Sequence, residues 1–273
     1  MRPMQAGETT PSPTTRERFW SAEPYPHVAL DGFFQPEFFS RLSDSMRRVS
    51  DRAGASHTYN TDIERNKQCF GEDVFDENIR CAAGHLSGAG FLAYLGSLLD
   101  VDALIPLTEM KSLSSRSYFH VSSAGGFLGS HVDQSYVGRR FLRKYIHVCS
   151  CVFYGSPEWQ TGDGGHTVLF DRTGQHAVTT VECKPNRLNI FLHTSTSFHG
   201  VSEMKTDRKR YSLYMDYYLP QRLLHTLKES IVRNNARCDA RYWLHNVTFV
   251  PNSSNPVYKR IYERYVAASA TPI

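Results

Sequence analysis

From about Ser115 to Leu219 the apolar residues of this chain recur at every second position, and glycine or proline interrupts the pattern every few residues. A period of two puts alternate side chains on one face of a strand. The spacing predicts strands over 116–122, 145–154, 166–170, 177–183, 187–192 and 210–219. Turn signals separate them at Gly125-Gly126, Gly155-Ser156-Pro157, Gly162-Asp163-Gly164-Gly165 and Lys184-Pro185-Asn186. Strands this short, in this number, bury their apolar faces only by packing sheet on sheet or by closing into a barrel. The fold expected is mainly β, and the 15 tyrosines and 16 phenylalanines suit a sheet better than a helical bundle.

Helical spacing flanks this region on both sides. After Pro36 it runs through Phe39, Leu42 and Met46, and over 90–104 through Phe91, Tyr94, Leu95, Leu98 and Leu99. It returns over 221–234 and 256–268, and a short strand is predicted at 26–30. The stretch 50–77 reads as an irregular surface excursion. Residues 1–18 are expected to be a disordered tail, because 1–15 are polar and rich in Thr and Pro. One domain is expected over 19–273: a strand and supporting helices (19–114), a catalytic β core (115–220) and C-terminal helices (221–273).

Of 273 residues, 40% are hydrophobic and 21% charged, so a packed core is feasible. A net charge of +4 without a basic stripe interleaved with aromatics argues against a nucleic-acid partner. The basic clusters at 139–144 and 205–210 read as solvated loops, or as attractors of an anionic substrate. Six cysteines without a CxxC pair fit a reducing compartment, and no apolar run approaches 18 residues. A cytoplasmic protein with no membrane partner is expected.

Within the β region stands His131-Val132-Asp133. Both polar side chains share a strand face and converge, while Val132 packs behind. Imidazole plus carboxylate is two thirds of a facial triad for iron(II), which leaves three coordination positions open. The third ligand is expected on a distant strand, and His199 in Phe198-His199-Gly200-Val201 is the candidate; His193 is its competitor. Arg210 and Ser212 share a face of the last strong strand, and a guanidinium there would hold a carboxylate through two parallel bonds. An isolated His-x-Asp also occurs in turns with a satisfied histidine; the ordered set is what gives specificity.

This ordered set resembles the 2-oxoglutarate/Fe(II)-dependent dioxygenase superfamily, and within it the prolyl-4-hydroxylase-like group. The resemblance covers about Arg116 to Leu219 and extends to Tyr25-Pro26-His27-Val28 with Phe33-Phe34. It implies a double-stranded β-helix, a cupin-like jelly-roll barrel, with Fe(II) bound by His131, Asp133 and His199. It implies 2-oxoglutarate as co-substrate, O2 as reactant and ascorbate in support, with Arg210 and Ser212 at the far carboxylate. Tyr154 is similar to the tyrosine of the family's Tyr-Leu-Asn segment, and Gly164-Gly165-His166-Thr167 to its Gly-Gly-x-Thr turn. Asn186-Arg187-Leu188 resembles the start of another family strand. Ser122 stands where the family often has tyrosine, with Tyr118 or His120 as substitutes. The loop 137–144 looks long, a candidate lid. The implied reaction is hydroxylation, since halogenating relatives carry Gly or Ala in place of Asp133. A small-molecule substrate is the first expectation. A hydroxylase of peptidyl residues and a non-catalytic jelly-roll binding protein are the alternatives. Trp159 reads as a loop aromatic or as a substrate platform.

Overall fold

The computed structural model describes residues 10–109, 118–137, 145–238, 248 and 250–265. Its helices are α1 (Pro13–Ser21), α2 (Pro36–Arg52), α3 (Glu77–Ser87), α4 (Ala89–Leu99), α5 (Leu224–Arg233) and α6 (Pro256–Tyr265). Its strands are β1 (His27–Leu30), β2 (His57–Tyr59), β3 (Glu64–Phe70), β4 (Ile105–Pro106), β5 (Phe119–His131) and β6 (Tyr136–Val137). They continue with β7 (Tyr145–Tyr154), β8 (Thr167–Phe170), β9 (Ala177–Val181), β10 (Arg187–Leu192), β11 (His199–Val201) and β12 (Arg210–Pro220). Neighbouring strands pair antiparallel in the order β1-β10-β7-β12-β5-β11-β8-β9, and β3 covers the other edge of β5. The result is the expected jelly-roll barrel, nearly closed and flanked by helices.

Alternation along each strand decides what faces where. On β12, Tyr211, Leu213, Met215 and Tyr217 join one apolar cluster with Phe119, Val121, Cys149, Cys151 and Phe153. Helices α2, α3 and α4 cover that cluster with Leu42, Met46, Ile79, Leu86, Leu95 and Leu98. Phe153 meets Phe34 edge-on at 5.0 Å between centroids. Each such buried side chain contributes about 1.5–3 kcal/mol relative to exposure. The intervening residues, Arg210, Ser212, Tyr214 and Asp216, face the barrel interior instead. A sheet buried on both faces has thereby one apolar side and one polar side.

The long strand β5 sets the position of everything functional. Ser122 lies opposite Arg210 on one edge and Lys67 on the other, while Leu128 lies opposite Val201 and Glu64. β12 and β11 therefore occupy successive stretches of the same edge of β5. This brings the start of β12 beside the strand that carries His199.

Several expectations need correction. The chain is ordered well before residue 19: Ser12 caps α1 through the Thr15 amide, Pro13 opens the first turn, Arg16 pairs with Asp100, and Phe19 and Trp20 are buried. The excursion over 50–77 contains β2 and β3, which extend the sheet. Helix α3, which begins within that stretch, starts on an Asp76 cap. The helix expected over 90–104 ends at Leu99, where Asp100 turns left-handed at φ 54°. The lid candidate 137–144, apart from Val137 in β6, lies outside the described residues, as does the whole of the first basic cluster, 139–144. Among the described residues no helix is long and apolar enough to cross a membrane.

Candidate functional site

His131 closes β5 and faces His199 directly across the β5–β11 ladder. The backbones approach so closely there that a Cβ on Gly200 would lie 2.5 Å from the Leu128 carbonyl oxygen, which is why glycine follows His199. The imidazole rings sit 4.3 Å apart between centroids. His131 Nε2 is 3.6 Å from Asp133 Oδ1, and His199 Nε2 is 3.6 Å from Asp133 Oδ2. One donor atom from each residue falls within 4.8 Å of the other two.

The donor chemistry fits a divalent cation. His131 Nδ1 is 2.9 Å from the Gly129 carbonyl oxygen, and His199 Nδ1 is 3.1 Å from that of Ser197. A carbonyl only accepts, so each Nδ1 carries the proton. Each Nε2 then turns toward the carboxylate, the second-sphere arrangement that orients metal-bound imidazoles. Burial, followed by the charge of His199, pushes the His131 pKa down to about 4, which keeps that ring neutral. Burial also disfavours charge on the other pair but is outweighed. Hydrogen bonding to His199 and the charges of both histidines hold Asp133 well below the usual carboxylate range, and Asp133 raises His199. A bound cation would itself serve as partner to the Asp133 carboxylate.

Arg210 lies deeper, 4% exposed. Its Nε donates to the Gly165 carbonyl at 2.8 Å and its Nη1 to Ser212 Oγ at 3.2 Å, and its guanidinium sits 5.1 Å from the Tyr154 ring centroid. Tyr154 in turn bonds Thr167 through its hydroxyl at 2.7 Å. Gly165 has φ +65°, and a Cβ on it would lie 2.9 Å from both Arg210 Cδ and Trp159 Cζ2. The glycine turn therefore shapes the guanidinium's seat, and Trp159 is a buried wall of it, with its indole N–H on the Gly164 carbonyl. Among the described residues no carboxylate pairs with Arg210, so a buried cation is left facing the cavity.

That cavity, about 710 Å³, is lined by the metal-competent triad, Arg210, Ser212, Thr167 and His120. Tyr118 does not line it. It packs on Phe75 at 5.2 Å and its hydroxyl bonds Glu72 on the outer side of the sheet. The side chain lining the cavity from this part of the chain is His120, because Tyr118 lies before β5 begins. His193 is fully buried and stacks on His147 at 3.9 Å, away from the triad. Sequence reasoning passed over Lys67 and Glu64, which line the mouth as an ion pair from β3, and Tyr214, which reaches Asp133. Tyr214 follows Arg210 and Ser212 at period two, a signal that places it on the same inner face.

The sequence profile of the 2OG-Fe(II) oxygenase superfamily matches residues 117–218, the stretch that carries all of these strands from β5 to β12. This match identifies residues 117–218 as a 2OG-Fe(II) oxygenase domain. The chain that carries this domain is an iron- and 2-oxoglutarate-dependent oxidoreductase. Its fold is similar to that of a prolyl-4-hydroxylase from Pseudomonas putida (TM-score 0.52, 19% identity, 77% of this chain and 100% of the other). It is likewise similar to a prolyl 4-hydroxylase from Phytophthora capsici (TM-score 0.51, 19% identity, 82% and 72%). The non-heme alpha ketoglutarate dependent epimerase SnoN from nogalamycin biosynthesis is similar too (TM-score 0.53, 11% identity, 76% and 81%). No curated protein matches the sequence of this oxygenase.

Proposed function

We propose that this oxygenase hydroxylates an unactivated C–H bond of a small molecule, with His131, Asp133 and His199 holding iron(II) and Arg210 holding 2-oxoglutarate. The observation that carries the reading is the buried Arg210, which has no acidic partner among the described residues and opens into the cavity of the triad. A structural barrel gains nothing from desolvating a guanidinium there, whereas a dicarboxylic co-substrate supplies its missing partner. Bound together, iron and 2-oxoglutarate supply the oxidising power: O2 is consumed, succinate and carbon dioxide leave, and C–H becomes C–OH.

The chain's own residues supply position and dryness. The two imidazoles and the carboxylate would hold the metal, and all three line the cavity that would receive the substrate. Ser212 and Arg210 orient the far carboxylate, while Tyr154 and Thr167 form the wall behind it. The β2–β3 hairpin roofs the mouth through Tyr59, Glu64 and Lys67. A chamber of about 710 Å³ lies within the size range of small-molecule sites, which supports the substrate class. The test is succinate release by the iron-loaded protein, without and with small-molecule and peptide candidates. Succinate formation stimulated by a small molecule that gains one oxygen atom is expected. Stimulation by peptides alone overturns the substrate class, and loss of 2-oxoglutarate dependence overturns the chemistry.

A further inference from the structure

The barrel interior behind the triad is not apolar. His147, Ser150 and Asp216 are 0–1% exposed. His147 Nε2 lies 3.0 Å from both Ser150 Oγ and Asp216 Oδ1, and Ser150 Oγ lies 2.8 Å from Asp216 Oδ1. Ser150 Oγ is also 3.5 Å from the hydroxyl of Tyr214, and that hydroxyl donates to Asp133 Oδ2 at 3.2 Å. Burying this many polar groups costs stability unless all are paired, and apolar side chains would fill the same volume. A network that ends on a carboxylate at the mouth therefore calls for a role.

Asp133 is the member of the triad that needs support. Both histidines are tied by Nδ1 to carbonyls of their own chain segment, and their side chains are 8% exposed. Asp133 lies past the end of β5 with 30% of its side chain exposed. Apart from the two histidines, its hydrogen-bond partner among the described residues is Tyr214. We propose that Tyr214 is a positioning residue that holds the Asp133 carboxylate for the metal, and that the buried Ser150–Asp216–His147 network holds Tyr214. The inference rests on the reading of Asp133 as a metal ligand.

Proton directions agree with it. A carboxylate only accepts, so Tyr214 donates to Asp133 and its oxygen is left to accept from Ser150. Ser150 has one proton, and the arrangement that links the network to Tyr214 points it at the Tyr214 oxygen, which leaves Asp216 Oδ1 to accept from the Nε2–H of His147. Hydrogen bonds aligned in this way polarise one another in a low-dielectric interior. With Oδ2 engaged by Tyr214, Asp133 has less freedom to rotate toward solvent.

The experiment is a cobalt(II) titration of the metal-free, full-length protein, followed by the visible d–d absorption, with circular dichroism as the fold control. Tyr214→Phe keeps the ring, which stacks on His120 at 5.9 Å, and removes only the hydroxyl. It is expected to weaken cobalt binding about 10- to 100-fold and to shift the bands, the usual effect of losing a second-sphere partner. Ser150→Ala, which does not touch Asp133, is expected to move the same bands in the same direction with a smaller loss of affinity. Wild-type affinity and bands in Tyr214→Phe overturn the positioning role. A change in Tyr214→Phe with none in Ser150→Ala overturns the supporting network. If Tyr214→Phe does not fold, Ser150→Ala decides alone. Asp133→Ala is run beside them: unaltered cobalt binding in that variant instead overturns the ligand assignment on which the inference rests.

Discussion

Arg210 is held by two bonds that leave one edge of its guanidinium for a ligand: Nε goes to Gly165 and Nη1 to Ser212. A bidentate charged pair in such a site contributes about 2–4 kcal/mol, and removing one partner strands the other. Arg210→Ala is therefore expected to weaken 2-oxoglutarate binding roughly 30-fold or more, at about 1.4 kcal/mol per tenfold. Arg210→Lys is expected to fall between, since an ammonium keeps the charge without the fork. The measurement is an anaerobic titration of the iron-loaded protein followed by its metal-to-ligand charge-transfer absorbance. An unchanged curve in Arg210→Ala transfers the carboxylate to another cation, of which Lys67 lines the same cavity. The two histidines six residues apart separate in the same way. His199→Ala is expected to abolish metal binding and succinate release. His193→Ala leaves the triad intact and is expected to bind iron, while a buried void beside His147 costs it stability. Reversed behaviour in the two variants sinks the assignment of His199.

At the scale of elements, the glycine-rich turn before β8 is the part of the barrel most exposed to test. Gly165→Ala meets both a left-handed backbone (φ +65°) and a Cβ only 2.9 Å from Arg210 Cδ. Its strain, of order 1–3 kcal/mol, is expected to displace the guanidinium and weaken 2-oxoglutarate about tenfold or more. Cobalt affinity without co-substrate is expected to stay at the wild-type value, because the triad sits on β5 and β11. A loss of both affinities together refutes this division of labour. The same elements show what the sequence discloses. The triad and Arg210 are legible through the ordered set His-x-Asp, His-Gly-Val and Arg-x-Ser, which carries the family resemblance, and not through their immediate neighbours, among them Ser130, Gly200 and Lys209. β3 is not legible: Glu64-Arg65-Asn66-Lys67-Gln68 has no apolar alternation, since its inner face lines a polar cavity rather than a core. α1 is hidden for a related reason. Its cap and leading proline sit in a polar stretch, and its order comes from Phe19, Trp20 and the distant Asp100, partners that spacing cannot reveal. Tyr118 misleads because it stands one residue before β5, and its partner Glu72 lies on the other side of the sheet.

For the molecule as a whole, the metal-competent residues sit where two stretches of barrel wall meet. His131 ends β5, Asp133 follows it, and His199 opens β11, which joins β5 to the β8–β9 pair. Ligands from both stretches gathered on one ion would tie that seam across its polar, ladder-poor end. Thermodynamically, a ligand that binds the folded chain alone stabilises it by RT ln(1 + [L]/Kd), about 2.7 kcal/mol at a hundredfold excess over Kd. For a chain of this size each kcal/mol raises the melting temperature by about 2–4 °C, so cobalt(II) at that excess is expected to raise it by at least about 5 °C. Addition of 2-oxoglutarate is expected to raise it further through Arg210, and a chelator to reverse both shifts. In Asp133→Ala the metal-dependent rise is expected to shrink at the same metal concentration, while the melting temperature of the metal-free protein falls slightly. That last sign follows from the site itself: the two histidines hold the Asp133 carboxylate below its usual range and Asp133 raises His199, so their pairing outweighs burial in the folded chain and its loss costs some stability. Differential scanning calorimetry of the two proteins, with and without cobalt, reads both signs at once. A metal-free Asp133→Ala that melts many degrees below wild type assigns the carboxylate to the fold instead of to the metal.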